Sequence, residues 1–165
     1  MKILVFSDSH ASLHFMRDCV KHCKPNGIIH LGDYYDDATV IHEENPGLPF
    51  QQVPGNCDEY RKPIGAANVI QCSFGGVRFF MTHGHIHHVK TGIGALLADA
   101  RRGGAQIALY GHTHETFCQQ QPDGLWVLNP GSCGCGGRTA GLIEIRDKEI
   151  VGCRIITQTE LEAGL

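Results

Sequence analysis

The sequence predicts an α/β fold in which two packed β-sheets are flanked by helices. Through the first third of the chain, apolar strand-like runs alternate with helix-like segments, an order that gives parallel strands. Later in the chain, pairs of apolar runs separated by turn residues predict hairpins and therefore a second, largely antiparallel sheet. At 165 residues the chain is expected to form a single domain covering residues 1–165.

The alternating part begins with a strand at residues 2–6, whose continuous apolar run is typical of buried parallel strands. A helix is predicted over 11–23, because apolar residues recur there at helical intervals before Pro25. The pattern then predicts a strand at 28–31, a short helix at 38–44 and a strand at 50–53.

The later part is predicted to be mostly β-structure around one amphipathic helix over 89–102. A strand at 105–109 follows that helix, and the tail after Thr159 is expected to be frayed. The hairpin strands are predicted at 68–72 with 77–81, 117–121 with 125–128, and 142–145 with 150–156.

Charge and hydropathy limit the expected partners. With 14 basic and 17 acidic residues the net charge is -3, and no basic run provides a surface for nucleic acid or an anionic membrane. The apolar run after Met1 is too short for a signal peptide, and no segment approaches the roughly 18 apolar residues of a membrane span. We therefore expect a soluble, cytoplasmic protein that would hold an anionic substrate by a local feature such as a metal ion.

The chain contains 8 cysteines, which we expect to be reduced thiols because the chain shows no export signal and has an ample apolar core. Cys133 and Cys135 lie together in a glycine-rich loop, where two thiols can bind zinc or oxidise. No second pair of cysteines or histidines is close to them in sequence, so a structural zinc site is not favoured there.

Residues able to bind metal ions follow the predicted strands in five short segments. The segments are Asp8-Ser9-His10, Gly32-Asp33, Gly55-Asn56, His83-Gly84-His85 and Gly111-His112-Thr113-His114. Taken singly they are weak signals, since Asp8 is also a good helix N-cap and Asn56 a good turn residue. Together they predict one site at one rim of a sheet, where ligand sites in open α/β folds lie.

These five segments, in this order and at this spacing, resemble the calcineurin-like metallophosphoesterases. The resemblance covers almost the whole chain and is greatest to the small single-domain phosphodiesterases of bacteria and archaea. It implies a four-layer α/β/β/α sandwich with a centre of two divalent metal ions between the sheets. It also implies hydrolysis of a small phosphate ester, most often a diester, as the activity.

The resemblance further implies which residues bind the ions. It assigns Asp8, His10, Asp33 and His114 to one ion, and Asp33, Asn56, His83 and His112 to the other. Imidazole and carboxylate together suit manganese, which we expect, and also iron, zinc or nickel. A hydroxide between the ions would attack phosphorus, so Asp33 and Asn56 are catalytic candidates, as is His85, which lies two residues beyond a ligand.

The sequence departs from many phosphatases of the superfamily at Cys57, where their Gly-Asn-His-Asp motif has histidine. The residue that protonates the leaving group is therefore open, with His85 as one candidate. His87 and His88 are expected to be solvated. The loop Asn129-Pro130-Gly131-Ser132 resembles one near the site in this branch, and Arg138 is a candidate phosphate contact.

Other functions are compatible with this fold. A retromer subunit shares it and works mainly through protein contacts, but its relatives tend to lose the histidine ligands that are all present here. A nuclease is disfavoured by the lack of a capping domain and of a basic run. We expect a small phosphate ester as the substrate, catalysis without the thiols of Cys133 and Cys135, and a homodimer or larger homo-oligomer as a possible assembly.

Overall fold

The computed structural model describes residues 1–164, which contain ten strands and four α-helices. The strands are β1 (Lys2–Phe6), β2 (Gly27–His30), β3 (Phe50–Gln52), β4 (Val69–Phe74), β5 (Val77–Thr82), β6 (Ile107–Leu109), β7 (Thr116–Gln120), β8 (Trp126–Pro130), β9 (Thr139–Arg146) and β10 (Glu149–Thr157). The helices are α1 (Leu13–Cys23), α2 (Tyr35–Glu44), α3 (Gly94–Arg102) and α4 (Gln158–Ala163).

The strands form two mixed five-stranded sheets. The first has the order β10-β9-β1-β2-β3, in which β1, β2 and β3 are parallel and β9 runs antiparallel to β1. The second has the order β4-β5-β6-β8-β7, in which β5, β6 and β8 are parallel and the two edge strands are antiparallel. The two packed sheets of the predicted fold are confirmed.

The predicted division into an early parallel sheet and a late antiparallel sheet is wrong. The last hairpin, β9 with β10, joins the first sheet beside β1. Residues 140–143 of β9 are all buried, which is the burial of an interior strand covered on both faces. The hairpin pattern predicts pairing within the hairpin correctly, but it carries no information about which sheet the hairpin extends.

Apolar side chains on alternate residues of the strands build the layers. In β1, Ile3 and Val5 belong to the cluster between the two sheets, whereas Leu4 and Phe6 pack with α1 residues on the outer face. On the far side, Leu96 of α3 packs against the second sheet. Helices therefore cover the outer face of each sheet, as in a four-layer α/β/β/α sandwich.

Two helices differ from the sequence pattern. The predicted helix over 89–102 begins only at Gly94, since the backbone at Gly92 is left-handed with a φ of +143°. The tail predicted to fray instead forms α4, because Thr157 and Glu160 make a capping box and Leu161 is buried.

None of the helices within residues 1–164 is long and apolar enough to cross a membrane.

Candidate metal centre

The candidate ligands lie in loops that leave the ends of five strands. Asp8 follows β1, Asp33 follows β2, and Asn56 follows β3 in the first sheet. His83 follows β5 and His112 follows β6 in the second sheet. The packing of the two sheets brings all seven predicted ligands and His85 to one rim, in two neighbouring groups on either side of Asp33.

The first group contains Asp8, His10 and His114. Asp8 is fully buried, and its Oδ1 lies 3.1 Å from Nε2 of His114. The rings of His10 and His114 have centroids 5.5 Å apart. Asp8 Oδ1 and His10 Nε2 are buried without a hydrogen-bond partner, an arrangement that costs free energy unless a cation or water satisfies both atoms.

The second group contains His83, His85, His112 and Asn56. His83 Nδ1 lies 2.8 Å from the carbonyl oxygen of Leu31 and must donate to it, because a carbonyl can only accept. In the neutral ring, Nε2 then presents its lone pair to Asn56 Oδ1 at 3.1 Å. The His112 ring centroid is 5.0 Å from that of His83. Lone pairs that face one another without an intervening proton suit a cation, and the bond to Leu31 fixes the ring as for a metal-bound histidine.

Asp33 is in contact with both groups. One of its oxygens lies within 4.8 Å of ligand atoms of Asp8 and His10, and its Oδ1 is 3.6 Å from His83 Nε2. Burial alone would raise the pKa of Asp33, but His83 and the backbone N–H of Cys57 lower it overall. A carboxylate ionised at neutral pH in this position can be shared by two ions.

The environment of His112 favours its neutral form. Burial, together with the neighbouring His83 and Lys90, lowers the pKa of His112 to about 4. Burial also lowers the pKa of His85. A metal ion requires the neutral imidazole, so this environment favours the protonation state in which His112 can be a ligand.

Five of the seven candidate ligands have a left-handed backbone conformation. Their φ values lie between 42° and 69°, a region that non-glycine residues rarely adopt although Asp and His are more common there than most. The five are Asp8, His10, Asp33, His112 and His114. Clustered strain of this kind is typical of functional loops that the surrounding structure holds in place.

Asp58 holds two of these loops together, and the sequence pattern missed it. The side chain is fully buried and accepts hydrogen bonds from four backbone N–H groups. The donors are Asp33 at 2.9 Å, Tyr34 at 2.8 Å, Tyr35 at 2.9 Å and Gly55 at 2.7 Å. The available signal was an acidic residue two positions after Asn56, in a turn where a carboxylate can accept several N–H bonds.

Hydroxyl and amide groups fix the loops around the first group of ligands. Asp8 Oδ2 accepts from Ser7 Oγ at 2.5 Å, and Ser132 Oγ donates to the Asp8 carbonyl at 2.8 Å. Asp37 Oδ2 accepts from Ser9 Oγ and from the backbone N–H of Ala11, each at 2.8 Å. The loop of residues 129–132 therefore lies against the site through Ser132.

Several other predicted residues lie elsewhere. The prediction that His87 is solvated is wrong, since it is buried with Nε2 3.3 Å from Asp99 Oδ2, whereas His88 is exposed. Arg138 donates to Gln158 Oε1 at 3.1 Å, at the start of α4. Cys133 is fully buried in the core beneath α1, and Cys135 is exposed.

A cleft of about 390 Å³ opens beside the histidine loop, and its lining includes Lys90, Tyr110 and Phe117. Tyr110 and Thr113, which also line it, flank His112 in the chain. The cleft therefore lies next to the loop of His112. Its lining has one positive charge at Lys90, one negative charge at Glu115, and two aromatic rings.

The Asp58 network gives a direct prediction. In Asp58→Asn one carboxylate oxygen becomes an amide NH₂, which cannot accept the backbone N–H bonds made by the oxygen it replaces. Each unsatisfied buried donor costs about 1–3 kcal/mol, so the thermal midpoint should fall by several degrees. Metal affinity should also fall by about 10- to 100-fold, as for other residues that orient ligands.

Asp36→Asn is the matched control, because Asp36 is an exposed carboxylate in the first turn of α2, close to the same loops. The measurements are thermal unfolding of the metal-free protein and titration with Mn²⁺. If Asp58→Asn matched both the parent and Asp36→Asn in midpoint and affinity, the four hydrogen bonds would not be holding the ligand loops.

The four-layer fold and the grouped ligands define a class of protein. Residues 1–148 match the family model described as the calcineurin-like phosphoesterase superfamily domain, and the chain belongs to that superfamily.

Similar proteins agree with this assignment. Phosphodiesterase MJ0936 of Methanocaldococcus jannaschii is 30% identical over 167 residues, covering 90% of this chain and 96% of its own. The structure of a Streptococcus pneumoniae protein described as a predicted phosphoesterase has a TM-score of 0.72 at 23% identity. The match covers 95% of this chain and 97% of that one. The structure of Vps29 of Entamoeba histolytica in complex with Zn²⁺ has a TM-score of 0.67 at 21% identity. The match covers 95% of this chain and 99% of that one.

Proposed function

We propose that this protein is a phosphodiesterase that hydrolyses small phosphodiesters with two divalent ions, Mn²⁺ being the expected metal. The observation that carries the proposal is the convergence of two groups of lone-pair donors on either side of Asp33. We assign Asp8, His10, Asp33 and His114 to the first ion, and Asp33, Asn56, His83 and His112 to the second.

The donor set fits such a centre. A cation would satisfy the two buried, unpartnered atoms of the first group and the facing lone pairs of His83 and Asn56 in the second. Two divalent ions would lower the pKa of a shared water to near neutrality and neutralise phosphoryl oxygens. Their charge would exceed that of Asp8 and Asp33, so the site would attract an anion although the chain has a net charge of -3.

The chain's own residues position the reaction. Asp33 would hold the two ions at a fixed separation, and Asn56 would contribute a neutral oxygen that leaves the centre positive. His85 lies at the edge of the second group, 5.4 Å from His83 between ring centroids. We propose that His85 transfers a proton to the departing oxygen. Its lowered pKa makes the imidazolium scarcer at neutral pH but a stronger acid.

The cleft beside His112 supports a substrate with a group attached to the phosphate. Its aromatic rings can contact an apolar or planar ester group, while Lys90 and Glu115 in the same lining carry opposite charges, so the cleft favours the ester group over a further anionic oxygen. A phosphodiester has such a group on each side of phosphorus. The name of the M. jannaschii relative agrees with a diester as the substrate.

The alternative is a protein-interaction scaffold with the same fold, which the likeness to Vps29 keeps open. Scaffold function places no demand on the protonation or orientation of histidines at the rim. The bond from His83 to Leu31 and the four bonds to Asp58 support a site built for metal chemistry instead.

Metal analysis combined with a substrate panel tests the proposal. The chelated protein should be inactive, and Mn²⁺ should restore activity together with two ions per chain. Bis-p-nitrophenyl phosphate should be hydrolysed faster than p-nitrophenyl phosphate. Hydrolysis of cyclic nucleotides would show whether the site also accepts diesters in which the phosphate is part of a ring. Two bound ions without hydrolysis of any ester would favour the scaffold, and a preference for the monoester would favour a phosphomonoesterase.

A further inference from the structure

A thiol lies beside the first group of ligands. Sγ of Cys135 and ring nitrogens of His10 and His114 all lie within 4.8 Å of one another. Sulfur and the two nitrogens are each competent metal ligands, and ligand atoms around one ion are separated by distances of this order. Cys135 lies about twenty residues beyond the nearest segment of the predicted ligand set, and no sequence pattern groups it with the two histidines.

The loop that carries Cys135 is fixed against the end of β1. The backbone N–H of Cys133 donates to the Ser7 carbonyl at 3.0 Å, and that of Gly134 donates to the Asp8 carbonyl at 3.1 Å. The backbone N–H of Cys135 itself donates to Ser132 Oγ at 2.9 Å.

The residue before Cys135 must be small. A Cβ on Gly134 would overlap the carbonyl of Ser9 and lie 2.9 Å from Cβ of His10. The loop of Gly134 therefore packs closely against the loop of Ser9 and His10. This packing places Cys135, the next residue, beside the first group of ligands. The position of the thiol is therefore set by backbone contacts and not by an extended, unsupported loop.

An independent feature indicates that a cation belongs at this point. Asp8 is 0% exposed, and its Oδ1 has no hydrogen-bond partner although it points to His114 Nε2 at 3.1 Å. His10 Nε2 is likewise buried and unpartnered. A cation between these atoms would satisfy both, and His10 belongs both to this group and to the group that contains Cys135.

We propose that Cys135 binds, as a thiolate, the ion held by Asp8, His10 and His114. The inference rests on the proposed function, since it concerns the first of the two ions assigned there. Binding releases the thiol proton to solvent, and no electron transfer is involved. Thiolate ligands select thiophilic ions, so Cys135 shifts the first site from Mn²⁺ toward Zn²⁺ or Co²⁺ while the second site has oxygen and nitrogen donors alone.

Cobalt spectroscopy of the full chain tests this assignment without relying on turnover. A thiolate bound to Co²⁺ produces an intense charge-transfer absorption in the near ultraviolet that oxygen and nitrogen ligands do not produce. The parent loaded with Co²⁺ should show this band, and Cys135→Ser should lose it while still binding two ions per chain. The Kd of Cys135→Ser for Zn²⁺ should rise by about tenfold or more, with a smaller change for Mn²⁺.

Cys57→Ser is the matched control, because Cys57 is the other exposed thiol at the site and its backbone N–H bonds to Asp33. The band should persist in this variant. A band that survives in Cys135→Ser, or is missing from a parent that holds two Co²⁺ ions, would overturn the thiolate assignment. A parent that binds no ions at all would instead overturn the proposed function, so the two failures are distinguishable.

Discussion

An Asp33→Ala protein should lose most of the proposed phosphodiesterase activity and should not bind the two proposed ions. Asp33 is 3% exposed and contacts both groups of candidate ligands, so its loss removes a shared ligand from each proposed ion. We expect kcat/KM to fall by more than about 100-fold, because even residues that only orient metal ligands are worth about 10- to 100-fold in affinity or activity.

A second variant separates ligand loss from misfolding at this position. Asp33 has a φ of 59°, which alanine tolerates poorly, whereas asparagine is common in this conformation and its side-chain oxygen can still accept the Cys57 N–H. Asp33→Asn should therefore remain folded and still be impaired. Asp36→Ala, at an exposed position in the first turn of α2, should behave as the parent. Unchanged turnover and metal content in Asp33→Ala would end the two-metal proposal.

Hydrolysis should depend on the leaving group, because the proposed proton donor His85 has a lowered pKa that makes its imidazolium scarcer at neutral pH, and Cys57 cannot take over its role. Burial and interaction with Asp33 raise the pKa of the Cys57 thiol to about 11, so it is a weak proton donor where many phosphatases have a histidine. A good general acid typically accelerates the chemical step about 10²- to 10⁴-fold. The lack of a good acid slows the reaction most when the departing alkoxide is basic. Activated aryl diesters should therefore react readily and alkyl diesters far more slowly.

A plot of log kcat against leaving-group pKa measures this dependence for the parent, His85→Ala and Cys57→His. If His85 supplies the proton, His85→Ala should slow the poor leaving groups selectively and steepen the line. Cys57→His should flatten it by placing an imidazole where the phosphatases have one. A flat line for the parent that stays flat in His85→Ala would show that leaving-group protonation does not limit the reaction.

The sequence predicted the parts of this protein that depend on short-range pattern. Strands followed by ligand-type residues are local features, and the ends of parallel strands meet at one rim, so Asp8, Asp33 and His83 could be grouped in advance. The sheet to which β9 belongs could not be predicted. Its pairing with β1 joins residues more than one hundred positions apart, and such pairing produces no periodic pattern in the sequence.

The supporting contacts were missed for a similar reason. Asp58 has the pattern of an ordinary turn residue, and only the structure shows that it accepts four N–H bonds from two loops. His87 reads as a loop histidine until Phe80 and Asp99 are seen to enclose it. The position of Cys135 was missed for the same reason, since its neighbours His10 and His114 come from distant parts of the chain.

The origin of the ligands in both sheets has a consequence for folding. Asp8 and Asp33 leave the first sheet and His83 and His112 the second, so an ion between them would bind only a chain in which the sheets have already docked. An ion that binds the native state alone stabilises it, by about 2.7 kcal/mol at a free concentration of 100 times Kd. The thermal midpoint should then rise with free Mn²⁺. In a cell, metal starvation would reduce the lifetime of the folded protein as well as its turnover.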